Sequence, residues 1–184
     1  MTTIVVSDPK TEFSLDGRDW SPAVATWIHP SWPTLPGATW IWHAARVSKS
    51  EAINGSPVIT FRRKFTAPAG IVQATMKITA DNAYQFLLNN RMIGSSGVLA
   101  ATSNVDEAHW QRFDVYAVTL QPGENTIVVR AVNYRSPNAD ASSNPGGIVF
   151  SLAVERQEAV FAPPPCEGAC LAERSNVRPQ GVAR

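Results

Sequence analysis

Ile78-Thr79-Ala80-Asp81-Asn82-Ala83-Tyr84-Gln85-Phe86-Leu87-Leu88-Asn89-Asn90 reads as strand, acidic turn, strand and Asn-rich turn. Just upstream, Val72, Ala74, Met76, Ile78 and Ala80 alternate with Gln73, Thr75, Lys77 and Thr79. That is the two-residue period of a strand with one face in a core. Tyr84, Phe86 and Leu88 carry the period onward, and Asn89-Asn90 tolerates the positive φ of a tight hairpin turn. Downstream, Trp110-Gln111-Arg112-Phe113-Asp114-Val115 precedes the turn Gln121-Pro122-Gly123-Glu124-Asn125. Beyond that turn, Ile127, Val129 and Ala131 alternate with Val128, Arg130 and Val132. Ile148, Phe150, Leu152 and Val154 repeat the pattern, and Phe61, Arg63 and Phe65 suggest one more strand. No amphipathic helix exceeds two turns, and Asp106-Glu107-Ala108-His109-Trp110 reads as a single helical turn. Many short strands separated by turns predict an all-β chain: one antiparallel β-sandwich or jelly roll with extended N-terminal and C-terminal arms.

The organisation around that centre follows from composition. A length of 184 residues fits one domain with arms. Residues 1–38 are rich in Trp and Pro with little periodicity and are expected to form an N-terminal arm. Residues 39–154 carry the strand pattern, and residues 155–184 are expected to form an extended tail. From Pro163-Pro164-Pro165 onward its apolar content is too small for a core of its own. Net charge is +1 with no basic run, which argues against binding nucleic-acid phosphates. No window approaches the roughly 18 apolar residues of a membrane helix. The N-terminal residues lack the basic start and apolar stretch of a secretory signal, so synthesis in the cytoplasm is expected. Charged residues make up only 17%, pointing to surface buried beyond a single domain's own core.

One ordered set of motifs spans residues 39–154. It runs Trp40-Ile41-Trp42, Phe61-Arg62-Arg63-Lys64-Phe65, Asp81-Asn82-x-Tyr84, Asn89-Asn90-x-x-Ile93-Gly94, the Pro-Gly-Glu-Asn turn with Val129-Arg130-Ala131-Val132-Asn133, and Asn144-Pro145-Gly146-Gly147-Ile148. In this order the set resembles the galactose-binding-domain-like β-sandwich superfamily. That superfamily includes carbohydrate-binding modules, accessory domains of glycosidases, and modules of adhesins and phage particles. The resemblance implies a sandwich whose ligands, where it binds sugars, sit on loops at one end, often near a structural calcium. It implies no single activity, because the fold hosts many. Asn89-Asn90 departs from the more usual Asn-Gly of that hairpin.

Candidate chemistry is sparse. Asp81 and Asn82 are candidate ligand or calcium oxygens, although calcium needs six to eight oxygens and Asp81 equally suits a turn cap. His29, His43 and His109 lack zinc spacing and show no nucleophile with an orienting acid. Asp106, Glu107 and Asp114 show no paired setting of the kind glycoside hydrolysis uses, so no enzyme is expected. The polar loop from Arg135 to Asn144, with Asn138 and Asp140, is the candidate binding loop, since long loops in compact domains tend to carry function. Five of the six Trp residues fall between Trp20 and Trp42. Trp40, Trp42 and Trp110 are expected in the core. Trp20, Trp27 and Trp32 are expected at an interface, where Trp dominates binding energy, or in packing that covers a sheet edge. Cys166 and Cys170 in the tail suit either intersubunit cross-linking or idle thiols.

Taken together these features predict a non-catalytic structural subunit of a large particle, a bacteriophage tail, collar or decoration protein located in the virion. Its partners would be protein subunits of the same or a neighbouring kind. The alternative is a carbohydrate-binding or adhesion module that engages a glycan through its end loops, with calcium as the one cofactor to be considered.

Overall fold

The computed structural model describes residues 2–70, 72–100 and 110–156. Twelve strands and one short helix follow in order: β1 (Thr2–Val6), β2 (Glu12–Ser14), β3 (Ser21–Pro22), β4 (Val24–Ala25), β5 (Ile41–Trp42), α1 (Lys49–Asn54), β6 (Ile59–Ala67), β7 (Val72–Asp81), β8 (Ala83–Leu88), β9 (Arg91–Ser96), β10 (Asp114–Leu120), β11 (Gly123–Val132) and β12 (Gly147–Arg156). All pairings are antiparallel. One sheet runs β10-β7-β12-β5-β4, with β1 also on β12, and the other runs β3-β2-β6-β11-β8-β9. This is the expected all-β sandwich.

The long strands follow the alternation in the sequence. On β7, Val72, Ala74, Met76 and Ile78 are buried while Gln73, Thr75 and Lys77 are exposed. β11 and β12 meet that layer with Ile127, Val129 and Ala131, and with Ile148, Phe150 and Leu152. Each of the larger side chains stabilises the fold by about 2 kcal/mol on burial. Asn89 and Asn90 adopt φ of 50° and 65°, as the β8–β9 turn demands.

Residues 1–38 were expected to reach outward, and here they are threaded into both sheets. β1 lies along β12 in the register Thr2↔Glu155 to Val6↔Ser151, and β2 lies along β6. Ser7 exchanges hydrogen bonds with Phe150: its N–H donates to the Phe150 carbonyl at 3.0 Å and its Oγ accepts from the Phe150 N–H at 3.1 Å. Arg63 reaches Asp8 at 2.6 Å, and Arg62 reaches Glu12 at 2.6 Å while its guanidinium lies 3.9 Å from the Trp20 ring centroid. Arg46 covers Trp27 at 5.4 Å. Trp32 is 4% exposed and stacks on Trp40 with ring centroids 4.0 Å apart. Of the aromatic surface expected at an interface or over a sheet edge, Trp32 is thus buried within the chain, and Trp20 and Trp27 are half-buried under one arginine each. The signal missed in the sequence was pairing by strands of two to five residues, too short to show a period. Cys166, Cys170, His109 and the turn at 106–109 lie outside the described residues.

Two glycines set where the Trp-rich segment can lie. A Cβ on Gly147 would stand 2.9 Å from the Trp40 ring and 3.0 Å from that of Trp32, and one on Gly146 would stand 2.9 Å from Trp42. The Gly146-Gly147 pair lets three indoles approach the start of β12, and a side chain at either position would push them away.

Candidate functional site

At the end of the sandwich where β7 and β11 finish and β8 and β12 begin, a cleft of about 370 Å³ opens. Its aromatic lining comes from His29, Trp32 and Trp110, and its loop wall from Arg135, Ser136, Ser143, Asn144 and Pro145. Asp81 and Asn82, each 5% exposed, form its buried base.

The aromatic wall is a small core of its own. Trp32, Trp40 and Val149 are buried together, with Leu35, Ala38, Trp110 and Phe113 packed against them. Val149 projects from the outer face of β12, so this cluster caps the sheet rather than filling the sandwich. Trp40 and Trp42 are buried as expected, but only Trp42 joins the central core. Trp110, also expected inside, is half-buried and faces the cleft. His29 meets Trp110 edge-on at 6.1 Å and Trp27 at 5.9 Å, and its Nδ1 shares a 2.6 Å hydrogen bond with Ser31 Oγ.

Asp81 is the electrostatic centre. Trp32 Nε1 donates to its Oδ2 at 2.9 Å. Burial pushes the carboxyl up to about 7, against the opposing pull of hydrogen bonds from Trp32 and Asn82. Asn82 holds the base in place. Its N–H donates to the Val132 carbonyl at 3.0 Å, and its Oδ1 accepts from the Tyr134 N–H at 2.6 Å. The loop wall is tied down by Asn144, whose Nδ2 donates to the Ala52 and Tyr134 carbonyls at 2.9 and 2.7 Å.

Three of the five residues expected to touch a ligand, Asp81, Asn82 and Arg135, therefore share one cleft. Asn138 and Asp140 lie in the same loop but not in the lining. The Asp140 carboxylate is taken up by its own turn, accepting from the N–H and Oγ of both Ser142 and Ser143, which pulls it down to about 2. The cleft also contains Ser136, Ser143 and Asn144 from the candidate binding loop, and His29, Trp110, Gln111 and Pro145, which the sequence did not single out as ligand residues. The pair Gly146-Gly147 beside Asn144-Pro145 was the available signal, since adjacent glycines in a strand mark a close approach.

Among the described residues no group of three His, Cys, Asp or Glu side chains is placed to hold a metal. Calcium takes six to eight oxygens, usually several of them carboxylate. The cleft offers one carboxylate, with one oxygen already accepting from Trp32, and the amide oxygens of Asn82, Gln111 and Asn144, the first already accepting from Tyr134.

No family model matches the chain. Over 126 residues, 66% of its length, it is 31% identical to an α-L-rhamnosidase of Streptomyces avermitilis, of which it spans 11%. The solved structure of a Streptomyces avermitilis α-L-rhamnosidase complexed with L-rhamnose aligns over 74% of this chain and 14% of that one, at 24% identity and a TM-score of 0.47. A family 35 carbohydrate-binding module from Clostridium thermocellum aligns over 83% and 97%, at 13% identity and a TM-score of 0.41. A lectin of Pleurotus ostreatus aligns over 62% and 29%, at 28% identity and a TM-score of 0.42. The expectation of a bacteriophage virion subunit is corrected by the sequence match to a glycosidase. The physical reason for the error is that the Trp-rich segment read as an intersubunit arm covers its own sandwich. In fold, the chain is an antiparallel β-sandwich of two six-stranded sheets.

Proposed function

We propose that this chain is a non-catalytic carbohydrate-binding module that holds a glycan in the end cleft. The observation that carries the reading is the pairing, in one cleft, of an indole face with a buried hydrogen-bond acceptor and surrounding polar groups. A pyranose has an apolar face and a rim of hydroxyls. Trp110 and His29 would lie against the first, as aromatic rings lie against apolar surface. Asp81 would accept from the hydroxyls, and Arg135 and Gln111 would donate to them. Hydrogen bonds to an ionised carboxylate are stronger than neutral ones, so Asp81 would be the anchor. Only one carboxylate, Asp81, lines the cleft among the described residues. Glycoside hydrolysis ordinarily needs two, one on each side of the bond, which supports binding without cleavage. The share of the rhamnosidase that the chain spans supports a module acting beside a larger body.

L-Rhamnose and its glycosides are the first ligands to test, followed by galactose and N-acetylgalactosamine. Isothermal titration of the full chain with each sugar, with and without a chelator, measures both the ligand and any calcium requirement. Binding that is lost in Trp110→Ala and insensitive to chelator fits a direct site. Binding abolished by chelator would assign calcium a part in the site. Absence of binding to a broad glycan array would overturn the proposal.

A further inference from the structure

Glu51, on the six-residue α1, lies outside the cleft yet gathers three donors on one oxygen. Trp42 Nε1 donates to its Oε1 at 3.1 Å, Ser56 Oγ donates at 2.5 Å, and His43 Nε2 is 3.1 Å away. Its own N–H donates to the Ser48 cap at 3.1 Å, and its carbonyl accepts from Gly55 N–H at 2.9 Å. A side chain engaged on this scale fixes the helix that bears it.

That helix in turn fixes one wall of the cleft. The carbonyl of Ala52, the next residue, accepts from Ser136 N–H and from Asn144 Nδ2, both at 2.9 Å, and Ser136 and Asn144 line the cleft. Ser56, the donor to Glu51, also gives its N–H to the Asn133 carbonyl at 3.0 Å. A second route runs through Trp42, which donates to Glu51 and packs against Gly146, beside the cleft residue Pro145. Both routes start at one carboxylate and end on adjoining parts of the same wall.

We propose that Glu51 is a positioning residue for the cleft, setting the wall of Ser136, Asn144 and Pro145 through α1 and Trp42. It touches no ligand, and its effect on affinity rests on the glycan-binding reading above. Two arrangements of this wall would differ in the spacing between Asn144 and the indole of Trp110, and hence in the sugar accepted. The charge on Glu51 matters because three donors converge on it. Its carboxyl is held below the ordinary glutamate range by His43, Ser56 and Trp42 despite the opposing effect of burial. The acceptor is therefore ionised at neutral pH, where its hydrogen bonds are strongest.

The test compares Glu51→Gln and the milder Ser56→Ala with two controls in the full chain. Ile127→Val removes one methylene from the central core and reproduces a loss of stability without touching α1. Glu124→Gln removes an exposed charge paired with Lys64. Amide exchange of Ser136 and of the Asn144 side chain is read by NMR, and affinity by titration with the sugar found above. The expected result is faster exchange at both groups in Glu51→Gln and Ser56→Ala, with affinity reduced about tenfold in the first. Neither control should change exchange at these groups or the affinity. Unchanged exchange at Ser136 and Asn144 in both α1 variants would overturn the inference, as would equal losses of affinity in Ile127→Val. If the native chain binds no sugar, the functional reading falls, and the exchange measurements still decide whether Glu51 sets the wall.

Discussion

Replacing Asp81 by Asn should flatten the pH dependence of this protein's stability. The carboxyl is buried at the base of the cleft and titrates at about 7, against an ordinary value of 3.8. Desolvation is the leading cause, because the charged form has lost water and gained only two hydrogen-bond donors. In the unfolded chain the group titrates near its ordinary value. Between about pH 4 and pH 7, therefore, the folded state binds one more proton than the unfolded state. Linkage then makes stability fall as pH rises through that window, with the contribution complete below pH 4 and gone above pH 7. The displacement is about 3 pH units, and each unit corresponds to about 1.4 kcal/mol, so the group's share of the change is on the order of 4 kcal/mol. Asparagine has nearly the same shape and stays neutral throughout, and its amide oxygen can still accept from Trp32 Nε1. Urea unfolding at fixed temperature, from pH 4.5 to pH 8, measures the difference through the midpoint at constant slope. The variant should gain on the native chain as pH rises. Parallel stability curves for the two proteins would refute a buried carboxyl that titrates near neutrality.

The same group gives ligand binding the opposite sign. A sugar whose hydroxyls donate to Asp81 favours the carboxylate, so affinity should rise from pH 6 to pH 8, and titration calorimetry should record proton release on binding near pH 7. Trp110→Ala should weaken sugar binding at least tenfold while shifting the unfolding temperature little, because this indole is only half-buried; thermal scans and titrations on one sample separate the two. Gly147→Ala should lower stability by about 1–3 kcal/mol, as overpacking does, since its methyl would stand 2.9 Å from Trp40 and 3.0 Å from Trp32. Trp32→Phe keeps much of the stack but removes the donor to Asp81, and should lower stability by about 1–2 kcal/mol when measured at pH 8, where the carboxyl is charged.

The part of the fold legible in the sequence was the part with a period. β7, β8, β11 and β12 show alternating residues over six to ten positions, and Asn89-Asn90 marks a turn by its chemistry. β3, β4 and β5 have two residues each and carry no period. Their places are set by partners far along the chain, such as Ile148 opposite Ile41. Composition then misled: the Pro residues around Trp32 do prevent regular structure, but they do not prevent packing, and the indole found its stack on Trp40 within its own chain. In the cleft, Asp81, Asn82 and Arg135 were legible as an acid, an amide and a cation at strand ends and loops. Asp140 was misread because a short acid followed by two serines folds its carboxylate back on its own backbone. Trp110 was misread because an indole in a sequence does not say which of its faces is covered.

The position of the cleft follows from the same facts. The Asp81 carboxyl is held near neutrality because water is kept from it. At this end of the sandwich the exclusion is supplied by the Trp32–Trp40 stack over the outer face of β12, not by the central core. Gly146 and Gly147 admit the indoles, the stack delivers a single N–H to Asp81, and the loop pinned to α1 closes the other side. Removal of the N-terminal segment would therefore do more than shorten the sheets. It would expose Asp81 to water and return its carboxyl toward the ordinary range. The steep decline in stability between pH 4 and pH 7 would then disappear without any change at Asp81 itself. A chain lacking residues 1–38 that remained folded and kept that decline would show that the burial of Asp81 has another source.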